Sequence, residues 1–351
     1  MTATLTIPGR TIGTGHPVYV VAEMSGNHHQ SFDRAVQIVR AAKEAGADAI
    51  KLQTYTADTL TIQSDKEYFR IGKGTIWEGK TLYDLYGEAY TPWEWQPKLR
   101  DVANDLGLDC FSSPFDASAV EFLEEMGASL YKIASFEIVD LPLLRCVGEK
   151  RKPVIVSTGM ATLPEIEDAV RTLREAGAAG VALLKCTSAY PAPPEEMNLQ
   201  TIPHLSHKFD CPAGLSDHTL GTTVPVAAVA LGASIVEKHL TLSRETPGPD
   251  SAFSLEPEEF SEMVNAIRTV EKALGEERYQ PTEREKASVV FRRSLFVVKD
   301  IKGGEILNKE NVRSIRPGYG LPPKHLDEVL GRRAAKDLEA GTPLGWDGIA
   351  P

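Results

Sequence analysis

Residues 153–190 read PVIVSTGMATLPEIEDAVRTLREAGAAGVALLKCTSAY and place an amphipathic stretch between two apolar runs. The runs PVIVSTG and VALLKCTSAY begin with the short apolar sequences that are typical of buried strands. The stretch between them, TLPEIEDAVRTLREAGAA, carries apolar residues at helical spacing and has a glycine near its end that suits a helix C-cap. We therefore predict a strand–helix–strand unit, the repeating element of α/β proteins.

The same alternation recurs from Pro17 to about Gly275. The eight apolar runs are PVYVVAEMS (17–25), AIKLQTY (49–55), DCFSSPF (109–115), SLYKIAS (129–135), PVIVSTG (153–159), VALLKCTSAY (181–190), CPAGLSDH (211–218) and SIVEKHLTL (234–242). Eight strands with intervening helices over roughly 260 residues match a TIM (β/α)8 barrel in number and size. An open doubly wound sheet is the alternative, but no GxGxxG motif follows the first run. We predict the barrel.

A long connection interrupts the alternation after the second run. Residues 56–90 contain six aromatic residues: Tyr68, Phe69, Trp77, Tyr83, Tyr86 and Tyr90. Long insertions in compact domains usually serve as lids or binding loops. The aromatic content predicts a packed excursion rather than a disordered tether, with a purely structural flap as the alternative.

A second, smaller domain is predicted at the C-terminal end. We assign residues 1–280 to the barrel, the polar stretch 281–293 to a linker and residues 294–351 to the small domain. The last range has short β-like runs, Gly-Gly and Pro-Pro turns and one brief helical stretch. A domain of this size is marginally stable alone.

Composition excludes several classes of partner. The 38 Lys and Arg residues against 49 Asp and Glu residues give a net charge of −11, so nucleic acid or an anionic membrane is not expected as a partner. The cysteines at 110, 146, 186 and 211 form no CxxC pair, which favours reduced thiols. The N-terminus lacks the layout of a signal peptide, and no apolar run is long enough for a membrane span. We expect a cytoplasmic protein.

Polar residues cluster at the predicted strand ends, which in a barrel surround the active-site mouth. They include Glu23, Ser25, Asn27, Lys51, Gln53, Ser112, Ser113, Lys132, Ser135, Glu137, Ser157, Thr158, Thr187, Ser188, Tyr190, Ser216, Asp217, His218, Glu237, Lys238 and His239. Lys51 and Lys132 together with the hydroxyl groups suit an anion such as phosphate. As an alternative, the two lysines are only ion-pair partners of Glu23 and Glu137.

Two histidines end neighbouring strands. His218 and His239 close the seventh and eighth runs, and adjacent barrel strands can bring two imidazoles onto one cation. Taken singly, each histidine is more often a hydrogen-bonded core residue. We interpret the pair, beside carboxylates, as a metal site with open positions for water and substrate.

Nine motifs in order along the chain resemble the sialic acid synthase family. They are AEMSGNH (22–28), KLQTY (51–55), SSPFD (112–116), YKIAS (131–135), STGMAT (157–162), KCTSAYP (185–191), GLSDHT (214–219), EKHLTL (237–242) and RPGYG (316–320). The tail is similar to the antifreeze-like (SAF) domain of that family. The segment GTIWEGKTLYDLYGEAYTPWEW (74–95) most closely resembles the pseudaminic acid synthase branch.

The resemblance implies a transferase. Its expected substrates are phosphoenolpyruvate and 2,4-diacetamido-2,4,6-trideoxy-L-altrose, joined with uptake of water and release of phosphate by C–O cleavage. N-acetylneuraminate or legionaminate synthesis is the alternative within the class. A carbohydrate-binding protein on an inactive barrel is the alternative outside it.

The resemblance also implies residue roles. Lys51 and Gln53 would hold the carboxylate region of phosphoenolpyruvate, and Ser113, Lys132, Ser135 and Ser157 its phosphate, Ser113 standing where neuraminic acid synthases have Thr. His218 and His239 would bind a divalent metal, usually manganese. Apart from the resemblance, we predict that Glu23 acts as acid and base because it lies at the mouth of the first strand, with neutralisation of Lys51 as the alternative. Glu137, Tyr190 and Asp250 would line the sugar site, and Arg316 would reach it from the other subunit of a domain-swapped homodimer. Ser188 replaces an Asn of neuraminic acid synthases, which weakens its assignment as a substrate contact and favours a different sugar.

Overall fold

The structure, a computed structural model, describes residues 4–351. Its strands are β1 (Thr4–Ile7), β2 (Arg10–Gly13), β3 (Tyr19–Glu23), β4 (Ala49–Thr54), β5 (Asp109–Pro114), β6 (Tyr131–Ile133), β7 (Pro153–Ser157), β8 (Gly180–Cys186), β9 (Ala213–Asp217), β10 (Ile235–His239), β11 (Ser294–Val297) and β12 (Val312–Ile315). Strands β3 to β10 pair in parallel, each with the next, and β10 pairs with β3 to close a barrel. All eight predicted barrel strands are confirmed.

Helices follow the barrel strands as the pattern predicts. They are α1 (Phe32–Glu44), α2 (Ala57–Leu60), α3 (Leu82–Ala89), α4 (Gln96–Asp105), α5 (Ala117–Glu125), α6 (Leu141–Glu149), α7 (Leu163–Ala176), α8 (Thr201–Phe209), α9 (Thr223–Ala230), α10 (Pro257–Leu274), α11 (Glu283–Lys286) and α12 (Leu326–Val329). Helix α7 begins with a capping box between Thr162 and Glu165 and ends at Gly177, whose φ of 99° is left-handed. Local sequence therefore sets both ends of this helix.

The hairpin of β1 and β2 was not predicted. Its side chains Leu5, Ile7 and Ile12 are buried and pack in one cluster with barrel residues such as Tyr19 and Ile235, which begin β3 and β10. The hairpin therefore closes the N-terminal end of the barrel.

A glycine makes room for this hairpin. A Cβ on Gly180, at the start of β8, would lie 2.6 Å from Leu5 Cδ1. Because such a contact is too short for two carbon atoms, a side chain at this position would require the Leu5 side chain to move.

The chain divides into two compact units, Met1–Gly275 and Glu276–Pro351. In the second unit, β11 and β12 pair antiparallel. Its own core includes Leu295, Val297, Ile301, Leu307, Val312, Val329, Ala334, Leu338, Leu344 and Ile349. The segment predicted as a linker, residues 281–293, contains α11 and a single 3-10 turn, Val289–Phe291.

The long insertion is ordered around α2 and α3. Isolated bridge pairing joins Arg70 to Thr81, so the segment between them doubles back on itself. Across residues 4–351, no helix is long and apolar enough to cross a bilayer.

Candidate active site

The alternation of side chains along the barrel strands decides which residues meet inside it. Tyr19, Val21, Ala49, Phe111, Leu130, Ile155, Ala182, Leu184 and Ile235 form the apolar part of the interior. Two residues further along each strand, the same face carries polar groups, because every second side chain of a strand points to the same face. Thus Glu23 follows Val21, Lys51 follows Ala49, and Glu237 follows Ile235. The barrel is apolar near its closed end and charged near its mouth.

Two lysines and two glutamates form a buried charge cluster at this level. Lys51 Nζ lies 2.6 Å from Glu23 Oε2 and 2.9 Å from Glu237 Oε1. Lys132 Nζ lies 3.4 Å from the same Glu237 oxygen and donates to Ser157 Oγ at 2.6 Å. The alternative pairing of Lys132 with Glu137 is therefore wrong, because Glu237 takes that place.

Burial and charge shift the titration of this cluster. Burial lowers the pKa of Lys51 to about 8, although Glu237 acts to raise it. Burial acts to raise the pKa of Glu237, but Lys132 and Lys51 outweigh burial and hold it below its usual value. Glu237 is therefore the carboxylate that the two lysines share.

Hydroxyl groups surround the lysines. Ser135 Oγ accepts from the backbone N–H of Gly159 at 3.1 Å. A Cβ on Gly159 would lie 2.3 Å from Ser188 Oγ and 2.7 Å from Ser135 Oγ, so only glycine lets these hydroxyls approach. Ser113 Oγ is buried and has no hydrogen-bond partner within residues 4–351. These groups are of the kind that completes an oxyanion site.

The two predicted metal-binding histidines lie side by side. The ring centroids of His218 and His239 are 5.3 Å apart. His218 Nδ1 donates to Thr187 O at 3.0 Å, which leaves its Nε2 lone pair free. His239 Nδ1 is buried without a partner in the described residues, and burial together with His218 lowers the pKa of His239 well below its usual value.

This donor set fits a metal with open coordination positions. Imidazole nitrogens are suitable ligands for a divalent transition metal. Within residues 4–351, no three His, Cys, Asp or Glu side chains group as a metal site. The chain would therefore supply two nitrogens and leave the remaining positions to oxygen ligands from substrate and water.

A second cluster of polar residues lies at the mouth of the barrel. Asp250 Oδ2 accepts from Ser25 Oγ, and Gln53 Nε2 donates to the same Ser25 Oγ at 3.1 Å. Burial raises the pKa of Asp250, with the Ser25 hydrogen bond opposing. Burial also raises the pKa of Glu137, to about 7. The Tyr190 ring packs at a tilt against His218, with ring centroids 4.4 Å apart.

These groups share one cavity of about 380 Å³. The predicted site residues that line it are Lys51, Gln53, Lys132, Ser135, Glu137, Ser157, Tyr190, His218, His239 and Asp250. Glu23 is fully buried and reaches the cavity only through its partners. Ser113 and Ser188 do not line the cavity. Arg316 is exposed and follows β12 in the second unit.

Some polar residues at strand ends face away from the cavity. Lys238 is paired with Asp217, and both side chains are fully buried. Ser112 Oγ lies 2.6 Å from Thr54 Oγ1, which donates to Gln96 of α4. These residues join the strands to each other and to the helix layer, so their inclusion among the mouth residues is wrong.

Sequence reasoning missed other lining residues. The sequence prediction includes Glu237 among the strand-end residues without a role, although its two-residue spacing from His239 places both on one strand face. Cys186 was not predicted and also lines the cavity. Ser216, one of the predicted strand-end residues, lines it as well, and its Oγ donates to Glu237 Oε1 at 3.3 Å. The insertion contributes Ile71 and Trp77 to the lining of the cavity. The structure therefore fits the prediction of a binding loop better than that of a purely structural flap.

Comparison with known proteins gives consistent matches. The profile of the NeuB family matches residues 38–279, and that of the SAF domain matches residues 292–350. Pseudaminic acid synthase from Campylobacter jejuni is 47% identical over 94% of this chain and 96% of its own length. N,N'-diacetyllegionaminic acid synthase from Legionella pneumophila is 36% identical over 96% of each chain.

A solved structure also matches. N-acetylneuraminic acid synthetase from Leptospira borgpetersenii, crystallised in complex with citrate, superposes with a TM-score of 0.73 at 30% identity. The match covers 82% of this chain and 96% of that one. The barrel and the tail domain are therefore both features that this chain shares with known sugar-acid synthases.

Proposed function

The chain belongs to the NeuB family, and we propose on this basis that it condenses phosphoenolpyruvate with 2,4-diacetamido-2,4,6-trideoxy-L-altrose to give pseudaminic acid and phosphate. The observation that carries the proposal is the composition of the cavity. Two lysines with hydroxyl groups, two imidazoles and several aliphatic side chains line one space. Phosphoenolpyruvate is a cytoplasmic metabolite, so the proposal also places the enzyme in the cytoplasm.

The anionic substrate would bind at the lysines. Lys132 Nζ has three donors, of which one goes to Ser157 and one, at 3.4 Å, to Glu237. The third donor and the hydroxyl of Ser135 remain for the phosphate, and Lys51 and Gln53 for the carboxylate. Because these side chains are held by buried partners, they are positioned before the substrate binds.

The reaction balances without a redox step. C3 of phosphoenolpyruvate forms a bond to the aldehyde carbon of the open-chain sugar, and the aldehyde oxygen takes a proton to become a hydroxyl. C2, left cationic, takes up water, and the tetrahedral intermediate breaks its C2–O bond to phosphate. A keto acid and inorganic phosphate remain.

Proton transfer is assigned to the pair of Glu23 and Lys51. Glu23 does not line the cavity, but its carboxylate lies 2.6 Å from Lys51 Nζ, which does. The pKa of Lys51, lowered to about 8 by burial, lets this amine both hold and release a proton near neutral pH. Protons would therefore pass between Glu23 and the reacting groups through Lys51.

His218 and His239 would hold a divalent metal, which we propose to be Mn²⁺. When bound, such an ion polarises the aldehyde carbonyl as a Lewis acid. The chain itself contributes the two imidazoles and the hydrogen bond from His218 Nδ1 to Thr187 that fixes one ring.

Phosphate release tests the proposed function. The enzyme is incubated with phosphoenolpyruvate and one of three sugars: the altrose derivative, the legionaminic acid precursor or N-acetylmannosamine, each with and without chelator. We expect the fastest phosphate release with the altrose derivative. Turnover fastest with another sugar reassigns the substrate within the family, and sugar binding without any phosphate release favours a carbohydrate-binding protein.

Glu137 is expected to make sugar use dependent on pH. Its pKa of about 7 means that the carboxylate, which accepts hydrogen bonds from sugar N–H and O–H groups, forms as pH rises. We expect kcat/KM for the sugar to rise about tenfold from pH 6 to pH 8, as the ionised fraction does. In Glu137→Gln this rise should disappear while KM for phosphoenolpyruvate stays unchanged. A rise of the same size in the variant would remove Glu137 from the sugar site.

Arg316 is proposed to act in the barrel of a partner subunit within a domain-swapped homodimer. The residue is exposed at the end of β12, and its guanidinium offers several fixed donors for acyl and hydroxyl oxygens. Arg316→Ala and Glu23→Ala should each be inactive, and mixing them under subunit exchange should restore activity, because one site per heterodimer then lacks both lesions. No recovery, with exchange verified by mass spectrometry, would show that the sites are not shared.

A further inference from the structure

The insertion between β4 and α4 brings a set of aliphatic side chains to the cavity. We define the apolar wall as Leu60, Ile71, Leu82 and Leu85, all of which line it. Leu85 is buried, and the other three are half-buried. Their side chains offer no hydrogen-bonding atom to a substrate, in contrast to the lysines, hydroxyls and histidines supplied by the barrel.

Hydrogen bonds within the insertion and to the barrel hold the apolar wall in place. The backbone N–H of Ile71 donates to Lys80 O at 2.9 Å, and Gly79 N–H donates to Ile71 O at 3.2 Å. Trp77 Nε1 donates to Pro249 O at 2.7 Å, beside the sugar-site residue Asp250. The Trp77 ring also packs against Tyr190, with centroids 5.3 Å apart. The segment that carries Ile71 is therefore fixed against the part of the cavity assigned to the sugar.

The polar groups of the insertion do not supply hydrogen-bonding partners next to the apolar wall. Thr75 lines the cavity but is exposed, so its hydroxyl is available to water. Tyr86 packs edge-on against Tyr55, with centroids 5.9 Å apart. Around the four aliphatic side chains, a buried hydroxyl group would lose water without gaining a partner of equal strength.

We propose that the apolar wall selects sugars that lack a hydroxyl group at C6, by packing against the C6 methyl. This inference rests on the proposed function and names the feature of the sugar that the insertion recognises. A methyl group buried on aliphatic side chains gains the usual hydrophobic free energy, whereas a hydroxymethyl group there must give up hydration. The wall distinguishes a class and not a configuration, because the legionaminic acid precursor is also a 6-deoxy sugar.

A matched pair of sugars tests the proposal. The probes are 2,4-diacetamido-2,4,6-trideoxy-L-altrose and the same sugar with a hydroxyl at C6, 2,4-diacetamido-2,4-dideoxy-L-altrose. The wild-type enzyme is expected to prefer the 6-deoxy sugar in kcat/KM by about 10- to 100-fold, the range within which apolar pockets discriminate. Ile71→Thr and Leu82→Asn, which place a polar group on the wall, should each reduce this preference by about tenfold.

Control variants separate the wall from the rest of the insertion. Ile76→Thr makes the same change at an isoleucine of the same loop that is 46% exposed and does not line the cavity, and should leave the preference unchanged. Ile71→Val keeps the wall aliphatic and should also retain the preference. Thermal unfolding of each variant identifies any change that comes from loss of the fold.

The outcomes distinguish this inference from the proposed function. An equal loss with both sugars in Ile71→Thr and Leu82→Asn, or a wild-type enzyme without preference at C6, overturns the role of the wall. If the wild-type enzyme releases no phosphate with any sugar, the proposed function fails. In that case calorimetric binding of the two probes still decides whether the wall prefers the 6-deoxy sugar.

Discussion

Replacing His239 with alanine is expected to slow phosphate release by about a thousandfold, since Lewis-acid stabilisation is worth several kcal/mol and each 1.4 kcal/mol is tenfold in rate. Among the residues that the structure describes, its Nδ1 is buried without a partner, so the substitution removes no hydrogen bond at that atom. His218→Ala should be equally slow. The variants should stay folded, and Mn²⁺ titration followed by electron paramagnetic resonance should show weaker binding than in the wild-type enzyme.

A histidine outside the barrel interior serves as the control. His204 is exposed on α8, and His204→Ala should bind Mn²⁺ and release phosphate like the wild-type enzyme. The metal assignment is contradicted if His218→Ala or His239→Ala keeps full activity. It is also contradicted if wild-type enzyme freed of metal, with no detectable Mn²⁺, turns over at the normal rate.

Removal of Lys51 is expected to destabilise the barrel by about 3–5 kcal/mol, the usual effect of leaving a buried charge without its partner. In Lys51→Met, Glu23 loses the cation that lies 2.6 Å from its carboxylate, while its side chain stays fully buried. Urea unfolding measures the loss. The double variant Lys51→Met with Glu23→Gln should recover part of the stability, because it removes the unpaired charge as well.

Lys132 provides the contrasting case. In Lys132→Met, Glu237 still has Lys51 at 2.9 Å, so the loss of stability should be clearly smaller, while KM for phosphoenolpyruvate should rise strongly. Lys73→Met, at an exposed lysine of the insertion, should change stability by no more than about 0.5 kcal/mol. Equal destabilisation by Lys51→Met and Lys73→Met would contradict the buried-pair account.

The barrel could be predicted because each strand repeats the same local pattern. A short apolar run followed by an amphipathic helix is visible in one sequence, and the eight repeats leave few other folds. The hairpin of β1 and β2 could not be found in this way. Its strands are only four residues long, and what holds them is packing against barrel residues that are distant in the sequence.

The sequence could predict which residues gather at the site, but not which of them form ion pairs with each other. Strand ends at a barrel mouth identify which residues gather there, and most of those assigned to substrate do line the cavity. Because side chains alternate along a strand, Lys238 points to the face opposite that of Glu237 and His239. Residue type alone does not show this difference. That Lys132 pairs with Glu237 rather than Glu137 depends on distances across the barrel. No sequence spacing encodes those distances.

The hairpin that closes the N-terminal end of the barrel also constrains the order of events in turnover. With that end sealed, reactants and products use the same opening at the mouth. The lysines assigned to phosphoenolpyruvate are almost completely buried, whereas Tyr190 and Glu137, two of the three residues assigned to the sugar, are half-buried. A sugar bound first would stand in the path of the deeper substrate. The architecture therefore favours ordered kinetics, in which phosphoenolpyruvate binds before the sugar and phosphate leaves after the nine-carbon product.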